Sequence, residues 1–498
     1  MPFKKNLLLS IIIMSFGLNS VFAQEIKKTE TPKTSSKVIT PCKTTQIKEK
    51  KPNYAKLYSE ITLNLQENKM TLSLLDSLNI ALKENFDIQS ITAEKDRQKW
   101  LYRQQLSTFL PDITADYTYT KFNGNILVEY AFLLNEKGNS VDMGINGNWD
   151  VFTGFRRLYN TKEFKNLYKS AIKQKDRTVN QVLLDTTTQY YRLLQAKFNI
   201  KIYQTALASA QAQLKINQEQ LAAGVGTKFD VLRAEAEVAS FEQLLLETQN
   251  NYRLAQAQLS QTIGINVFTL VEPLDEEIQQ KDLFKDTLNL NKLVEIALYN
   301  QPDIFIAQYD LNATKSRRNS AYSAYLPTIS LRERGAEVGE DHSHLGHNRT
   351  RQIVATWTGG TGLGLYSFSE IKALNEEVKK SQINKIIVAR DVQQKVLAAY
   401  NRVITTKEVV VAAQKEVQSA DESLRLSLVR LKAGVGIYVD VLNAQDTQNR
   451  AMVKYLNALS DYNIFQAQLL YETGLISESN LIDGVTPAKL PTKEPKKK

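Results

Sequence analysis

Apolar positions in the second half of the chain recur in steps of four and three. Val392, Val396, Ala399, Val403, Thr406, Val410, Ala413, Val417, Ala420, Leu424, Ser427 and Leu431 form one sustained heptad seam. A period of 3.5 predicts a long helix supercoiling left-handedly against a partner. The same positions shifted back by 210, from Val182 and Thr186 to Asn217 and Leu221, repeat the seam with three polar interruptions. Proline and glycine set the limits. No proline occurs over 154–263 or 366–474, and the only glycines of 155–263 and 366–473 are Gly224, Gly226, Gly434 and Gly436. Each stretch therefore predicts two long helices around one tight turn, because helices exclude these two residues. The helix before each turn spans about 100 Å at ~1.5 Å per residue.

A period of two governs the segments ahead of these helices. Ile113 to Phe122 and Val141 to Val151 alternate apolar and polar residues. That pattern predicts strands with one apolar face, at the length of a transmembrane barrel strand. The Asn-Gly-Asn and Lys-Gly-Asn clusters between them predict an outer loop over 123–140. In the second half, Ile353 to Leu365 alternates, whereas the strand starting at Ile329 meets Arg332, Glu333 and Arg334 at once. Four strands cannot close a barrel, and an open edge in lipid leaves backbone groups unpaired, so neighbouring copies must complete it.

The chain is duplicated. Residues 221–265 align without a gap on 431–475, with Ala-Gly-Val-Gly at 223–226 and 433–436, Asp-Val-Leu at 230–232 and 440–442, and Gln-Ala-Gln-Leu at 256–259 and 466–469. The half starts repeat at an offset of 216, Leu110-Pro111 facing Leu326-Pro327. The organisation expected is a signal peptide at 1–23, a flexible basic segment at 24–71, and a first repeat at 72–265. In that repeat the strand hairpin falls at about 113–151 and the helical hairpin at about 154–263. A linker at 266–287 leads to a second repeat at 288–475, with its strand hairpin at about 329–365 and helical hairpin at about 366–473. A Lys-rich tail at 476–498 ends the chain.

Charge changes the picture little. The formal net charge of +10 sits in the leader and the two Lys-rich tails, which hold too little apolar sequence to fold, so no nucleic-acid role is implied. Lys4 and Lys5 followed by an apolar run and Val21-Phe22-Ala23 read as an export signal. The single cysteine, Cys42, excludes an internal disulfide framework and is expected as a free thiol in a flexible tail.

These duplicated segments resemble the TolC-type outer-membrane efflux family over about 72–475. The resemblance rests on Leu-Pro-Asp-Ile and Leu-Pro-Thr-Ile before the strands, Trp149-Asp-Val-Phe-Thr-Gly154 at the first long helix, and Ala223-Gly-Val-Gly-Thr-Lys-Phe-Asp-Val-Leu232 with its copy at 433–442. It implies a mainly α fold with a small β part: duplicated helical hairpins forming a periplasmic α-barrel, and four transmembrane strands per chain completing a 12-stranded barrel in a homotrimer. It further implies an outer-membrane duct of a Gram-negative bacterium, serving tripartite efflux or type I secretion. A periplasmic adaptor would open it and an inner-membrane RND or ABC pump would power it. On this sequence the docking tips become Gly224, Val225, Gly226, Thr227, Gly434, Val435 and Gly436. Asp230, Asp440 and Asn443 become the pore-constriction candidates. Thr227 and Asp230 also fit a helix cap, whereas Ile437 at the matching position cannot cap. A periplasmic coiled-coil scaffold without a pore is the alternative that the seam alone leaves open.

Catalytic patterns are missing: there is no phosphate loop and no dinucleotide glycine motif, so neither an enzyme nor a cofactor is expected. His342, His344 and His347 share one expected loop and are weak metal candidates through their imidazoles, a polar surface loop being the plainer reading.

Overall fold

The structure is a computed structural model and describes residues 69–128, 132–284, 289–339, 345–357, 362 and 364–485. The leader, Cys42, the tail beyond 485, His342 and His344 lie outside the described residues. Two long helical hairpins dominate. In the first, α3 (Arg156–Ala222) turns into α4 (Lys228–Ile263); in the second, α7 (Leu365–Lys432) turns into α8 (Tyr438–Glu472). Much of the expected seam is buried. Val392, Val396, Ala399, Val403, Val410 and Ala413 of α7 are covered, as are Val182, Thr186, Leu193 and Ala210 of α3.

Four shorter helices were not anticipated: α1 (Leu74–Glu84) and α2 (Phe86–Ser107), with their repeats α5 (Leu290–Asn300) and α6 (Pro302–Ala321). Their local signals are nonetheless in the chain. Ser73 and Asp76 form a capping box at α1, Asn85 accepts from the Asp87 and Ile88 amides to start α2, and Pro302 opens α6. These helices explain why α3 and α7 are nearly twice as long as α4 and α8. One half of each long helix packs on its hairpin partner, and the other half packs on α2 or α6. At the join the chain turns on Gly264 (φ 81°), where a Cβ would lie 2.5 Å from the Glu84 carbonyl oxygen. Gly474 does the same in the second repeat, against Asn300. Only glycine satisfies both the positive φ and the close approach.

The inter-repeat segment is a built belt and not a loose linker. β4 (Leu270–Pro273) pairs in parallel with β1 (Lys69–Leu72). The duplicated glutamines hold its backbone: Gln256 Nε2 donates to the Val271 carbonyl (2.9 Å), and Gln466 accepts from the Leu283 amide (2.7 Å). Asn463 bonds both Gln279 and Lys281, and the Tyr190 hydroxyl donates to Asp275 (2.8 Å). Beneath the belt lies the main apolar core, with Leu78, Leu193, Leu259, Val271, Leu469 and Leu470 fully covered. The helix α9 (Glu478–Asp483) closes the described chain.

One antiparallel sheet of order β2-β3-β5-β6 sits at the far end of the long helices from their turns. β2 (Asp112–Val128) and β3 (Phe132–Thr153) are much longer than expected. The predicted outer loop over 123–140 is largely strand, with Asn123 opposite Lys137 and Ile126 opposite Leu134. Polar and glycine residues beyond a membrane-thick stretch do not end an antiparallel ladder whose register continues unbroken. The second hairpin is β5 (Thr328–Gly339) and β6 (Leu345–Thr356), so only the first four residues of the predicted 353–365 strand are strand. Gly362 and Gly364 then adopt positive φ on the way into α7. The charges at 332–334 are tolerated because partners meet them. Arg334 reaches Asp142 (2.7 Å) and Asp116 (3.0 Å), while Glu333 accepts from Arg349 and Arg351. Ile113, Tyr117, Tyr119, Ile145 and Trp149 line one face of the sheet, all exposed. Asp116, Asp142, Asn146 and Arg334 share the other.

Candidate functional site

The two hairpin tips have the same backbone. After α3, the Gly224 amide bonds the Leu221 carbonyl, and the Val225 and Gly226 amides both bond that of Gln220. After α7, Gly434, Val435 and Gly436 bond Leu431 and Arg430 in the same way. This is the Schellman arrangement, which satisfies the last carbonyls of a helix through one left-handed residue. The two glycines of each Gly-Val-Gly do different work. Gly224 (φ 76°) and Gly434 (φ 74°) supply the left-handed residue with open space around them. Gly226 and Gly436 let the chain fold back: a Cβ at Gly226 would stand 2.9 Å from the Leu221 amide nitrogen.

The valines between them are bare, Val225 being 80% and Val435 71% exposed. Phe229 and Ile437 are exposed beside them, so each tip carries an apolar knob that this chain leaves uncovered. Their places are not equivalent: Phe229 stands two residues past the Thr227 cap, and Ile437 occupies the matching cap position itself.

The helices leaving the tips start differently. Thr227 caps α4, its hydroxyl accepting from the Asp230 amide (3.2 Å) and donating to the Asp230 carboxylate. Ile437 has nearly the same backbone (φ −108°, ψ 150° against −107°, 151°) and no side-chain cap. The Asp440 amide falls back on the Ile437 carbonyl (3.1 Å), and the Asp440 carboxylate has no cap hydroxyl to engage it. Asn443, one turn on, is exposed.

The structure also brings the two tips together, which no periodicity announced. Tyr438, at the start of α8, sits among Glu237, Arg233 and Asp230 of α4, beside Asn217 of α3. Burial pushes its hydroxyl up to about 12, with the Glu237 charge adding to the effect. Asn217 in turn donates to the Asp230 carbonyl (3.3 Å). Asp230 is thus held in a polar joint between the two hairpins.

His347 is not in the loop expected to hold the three histidines, and His342 and His344 lie outside the described residues. His347 lies in β6 opposite Glu337, and no group of three or more His, Cys, Asp or Glu side chains is placed to hold a metal among the described residues. No described helix is long and apolar enough to cross a membrane.

Comparison with known proteins places this geometry. The chain matches the family described as outer membrane efflux protein over residues 77–265 and 293–474, one match per repeat. It is 21% identical to the alkaline protease secretion protein AprF of Pseudomonas aeruginosa, across 87% of this chain and 92% of that one. It is 22% identical to the outer membrane protein TolC of Escherichia coli, across 82% and 84%. Among solved structures, the Campylobacter jejuni CmeC outer membrane channel superposes with a TM-score of 0.72 at 17% identity, covering 82% of this chain and 88% of that one. VceC of Vibrio cholerae gives 0.70 at 15% identity, covering 80% and 96%. With a duplicated hairpin, a four-stranded sheet open at both edges and a family match across both repeats, the chain belongs to the outer membrane efflux protein family.

Proposed function

We propose that three copies of this chain form a duct through the outer membrane and across the periplasm, and that the duct carries cargo without transforming it. The observation that carries this reading is the sheet. Among the described residues β2 and β6 each have one partner, and one sheet face is lined with exposed aromatic and aliphatic residues. Such edges are untenable in lipid, where each unpaired backbone group costs several kcal/mol, so the sheet must continue into neighbours. Three chains supply twelve strands, within the range of closed membrane barrels. The long hairpins then hang from the barrel as a tunnel wall.

In this reading the Gly-Val-Gly tips dock a periplasmic adaptor, which links the duct to an inner-membrane pump of the RND or ABC type. The bare Val225 and Val435 suit a partner with matching apolar sockets. Asp440 and Asn443 line the narrow end, three copies of each making a ring. Asp230 contributes to the joint more than to the pore, because Thr227 engages its carboxylate.

Planar-bilayer recording on the purified protein tests the duct. Discrete, cation-sensitive conductance from a trimeric species supports it; trimers that never conduct, even with the tips cleaved away, refute it. Docking is tested separately by crosslinking from Val225→Cys in a Cys42→Ser background in intact cells. Capture of a periplasmic adaptor supports the tip assignment, and capture of sibling subunits alone counts against it.

A further inference from the structure

Between the two hairpins, below the belt and above the tips, lies a cavity of about 530 Å³. α3 forms one wall, and α7 and α8 form the others. Its surface is mostly aliphatic, with Ile202 and Ala206 facing Val417, Leu424, Met452 and Leu456. Val417 and Leu424 are seam positions, the kind a coiled coil covers with its partner helix. Here Val410, Ala413 and Ala420 are covered, yet Val417 and Leu424 border open volume. The packing of the seam gives way at this level, and the volume is that of a small-molecule site.

One lining residue makes the void more than a packing defect. Asn449 is 8% exposed, lines the cavity, and its Nδ2 has no hydrogen-bond partner. Other deeply buried amides of the chain are bonded: Gln256, Gln466 and Asn463 all hold backbone groups of the belt. The helical hairpin does not require an amide here, because the matching position in the first repeat is Ala239. A buried donor without an acceptor destabilises the fold unless something enters to accept from it. Lys201 also lines the cavity, and its ammonium has no ion-pair partner among the described residues. Lys454, on the neighbouring helix, is by contrast paired with Glu416 (2.7 Å).

We propose that this cavity binds an amphipathic carboxylate, its hydrocarbon chain lying along the aliphatic walls and its oxygens accepting from Asn449 and Lys201. Lys201 is the one charged residue of the lining, with Asn449 and the neutral Thr205, Ser209, Gln213, Gln445 and Gln448 as its other polar members, so the ligand that suits it brings acceptor oxygens and a negative charge. Because the walls come from both hairpins, a bound chain also ties α3 to α7 and α8. The inference rests on the fold of one chain and stands whether or not the duct reading does.

The test uses the full-length protein in nanodiscs of zwitterionic lipid and a photoreactive diazirine analogue of laurate, with labelled peptides mapped by mass spectrometry. Labelling is expected on the stretches around Ile202–Ala206 and Asn449–Leu456. Excess laurate should remove it and excess dodecylamine should not. Asn449→Leu and Lys201→Gln should each weaken labelling about ten-fold, the scale of one lost charge-assisted or buried hydrogen bond. Asn449→Leu should keep or raise the melting temperature, since it removes the orphaned donor while conserving shape, and this separates lost binding from lost folding. Label confined to the strands, label unchanged in both variants, or equal competition by the amine would each overturn the proposal.

Discussion

The two tips form a natural experiment in helix capping, and swapping Ile into the first one measures what its threonine contributes. Thr227 and Ile437 share a backbone to within a degree or so. Thr227→Ile therefore fits without rearrangement and removes only the hydroxyl that holds the Asp230 amide and carboxylate. Losing such a cap typically costs about 0.5–2 kcal/mol. The second tip shows the fallback that softens the loss, its Asp440 amide bonding the Ile437 carbonyl at 3.1 Å. The expected cost is thus the lower part of the range, about 0.5–1 kcal/mol, confined to the first turn of α4. Local opening of that turn should become roughly two- to five-fold more frequent. Hydrogen-exchange mass spectrometry on the intact protein reads this as faster exchange at Asp230 and Val231, with the α8 peptides unchanged. The reciprocal Ile437→Thr should slow exchange at Asp440 and draw its carboxylate into a new cap. Unaltered exchange at Asp230 in Thr227→Ile would mean that the hydroxyl bonds are idle and that capping does not distinguish the two aspartates.

Asp440→Ala should raise single-channel conductance or weaken block by multivalent cations, while Asp230→Ala should do so less; equal effects would remove the distinction drawn between them. Gly226→Val and Gly436→Val should abolish adaptor crosslinking with little change in melting temperature, because the crowding they introduce is confined to the fold-back of each tip. Glu472 is held above the ordinary carboxylate range by burial, its near neighbour Lys395 only partly offsetting this. A raised folded-state value means the native state binds the proton more tightly, so this group's contribution falls as pH rises past about 4.5. Glu472→Gln should therefore raise the melting temperature at pH 7.5, with the gain shrinking toward pH 4. Arg334→Gln should expose Asp116 and Asp142 to each other on the polar face of the sheet, and the loss of barrel stability should be larger at low salt than at high salt.

Much of the architecture was legible because long helices and membrane strands leave strong periodic traces. The seam from Val392 to Ala413 and the glycine pairs at 224–226 and 434–436 placed the hairpins and their tips directly. The short helices were missed because α2 and α6 alternate polar and apolar residues irregularly, α2 packing on α3 with its other side exposed and α6 being shared between α3 and α7. The strand limits failed for another reason. Alternation marks where a face must be apolar, and β2 and β3 continue beyond that requirement, where composition relaxes but pairing does not. At the tips, the cap at Thr227 and its absence at Ile437 followed from local chemistry, whereas the joint around Tyr438 depends on how two hairpins 210 residues apart pack. Asn449 was invisible for the same reason: a polar residue on a helix is ordinary until its partner is found missing.

The belt has a mechanical consequence. It clamps the hairpins at Tyr190, Lys197, Gln256, Asn463 and Gln466, and beyond Lys197 α3 runs free of the belt to Ala222. That free length is about 38 Å at the helical rise. Treated as a beam on a fulcrum, it converts a rotation of roughly 5° at the belt into about 3 Å of sideways travel at the tip. The core around the belt is densely filled, so the fulcrum can stay packed while the far end swings. In the proposed duct, such a lever on a stiff pivot would change the width of the narrow end without refolding.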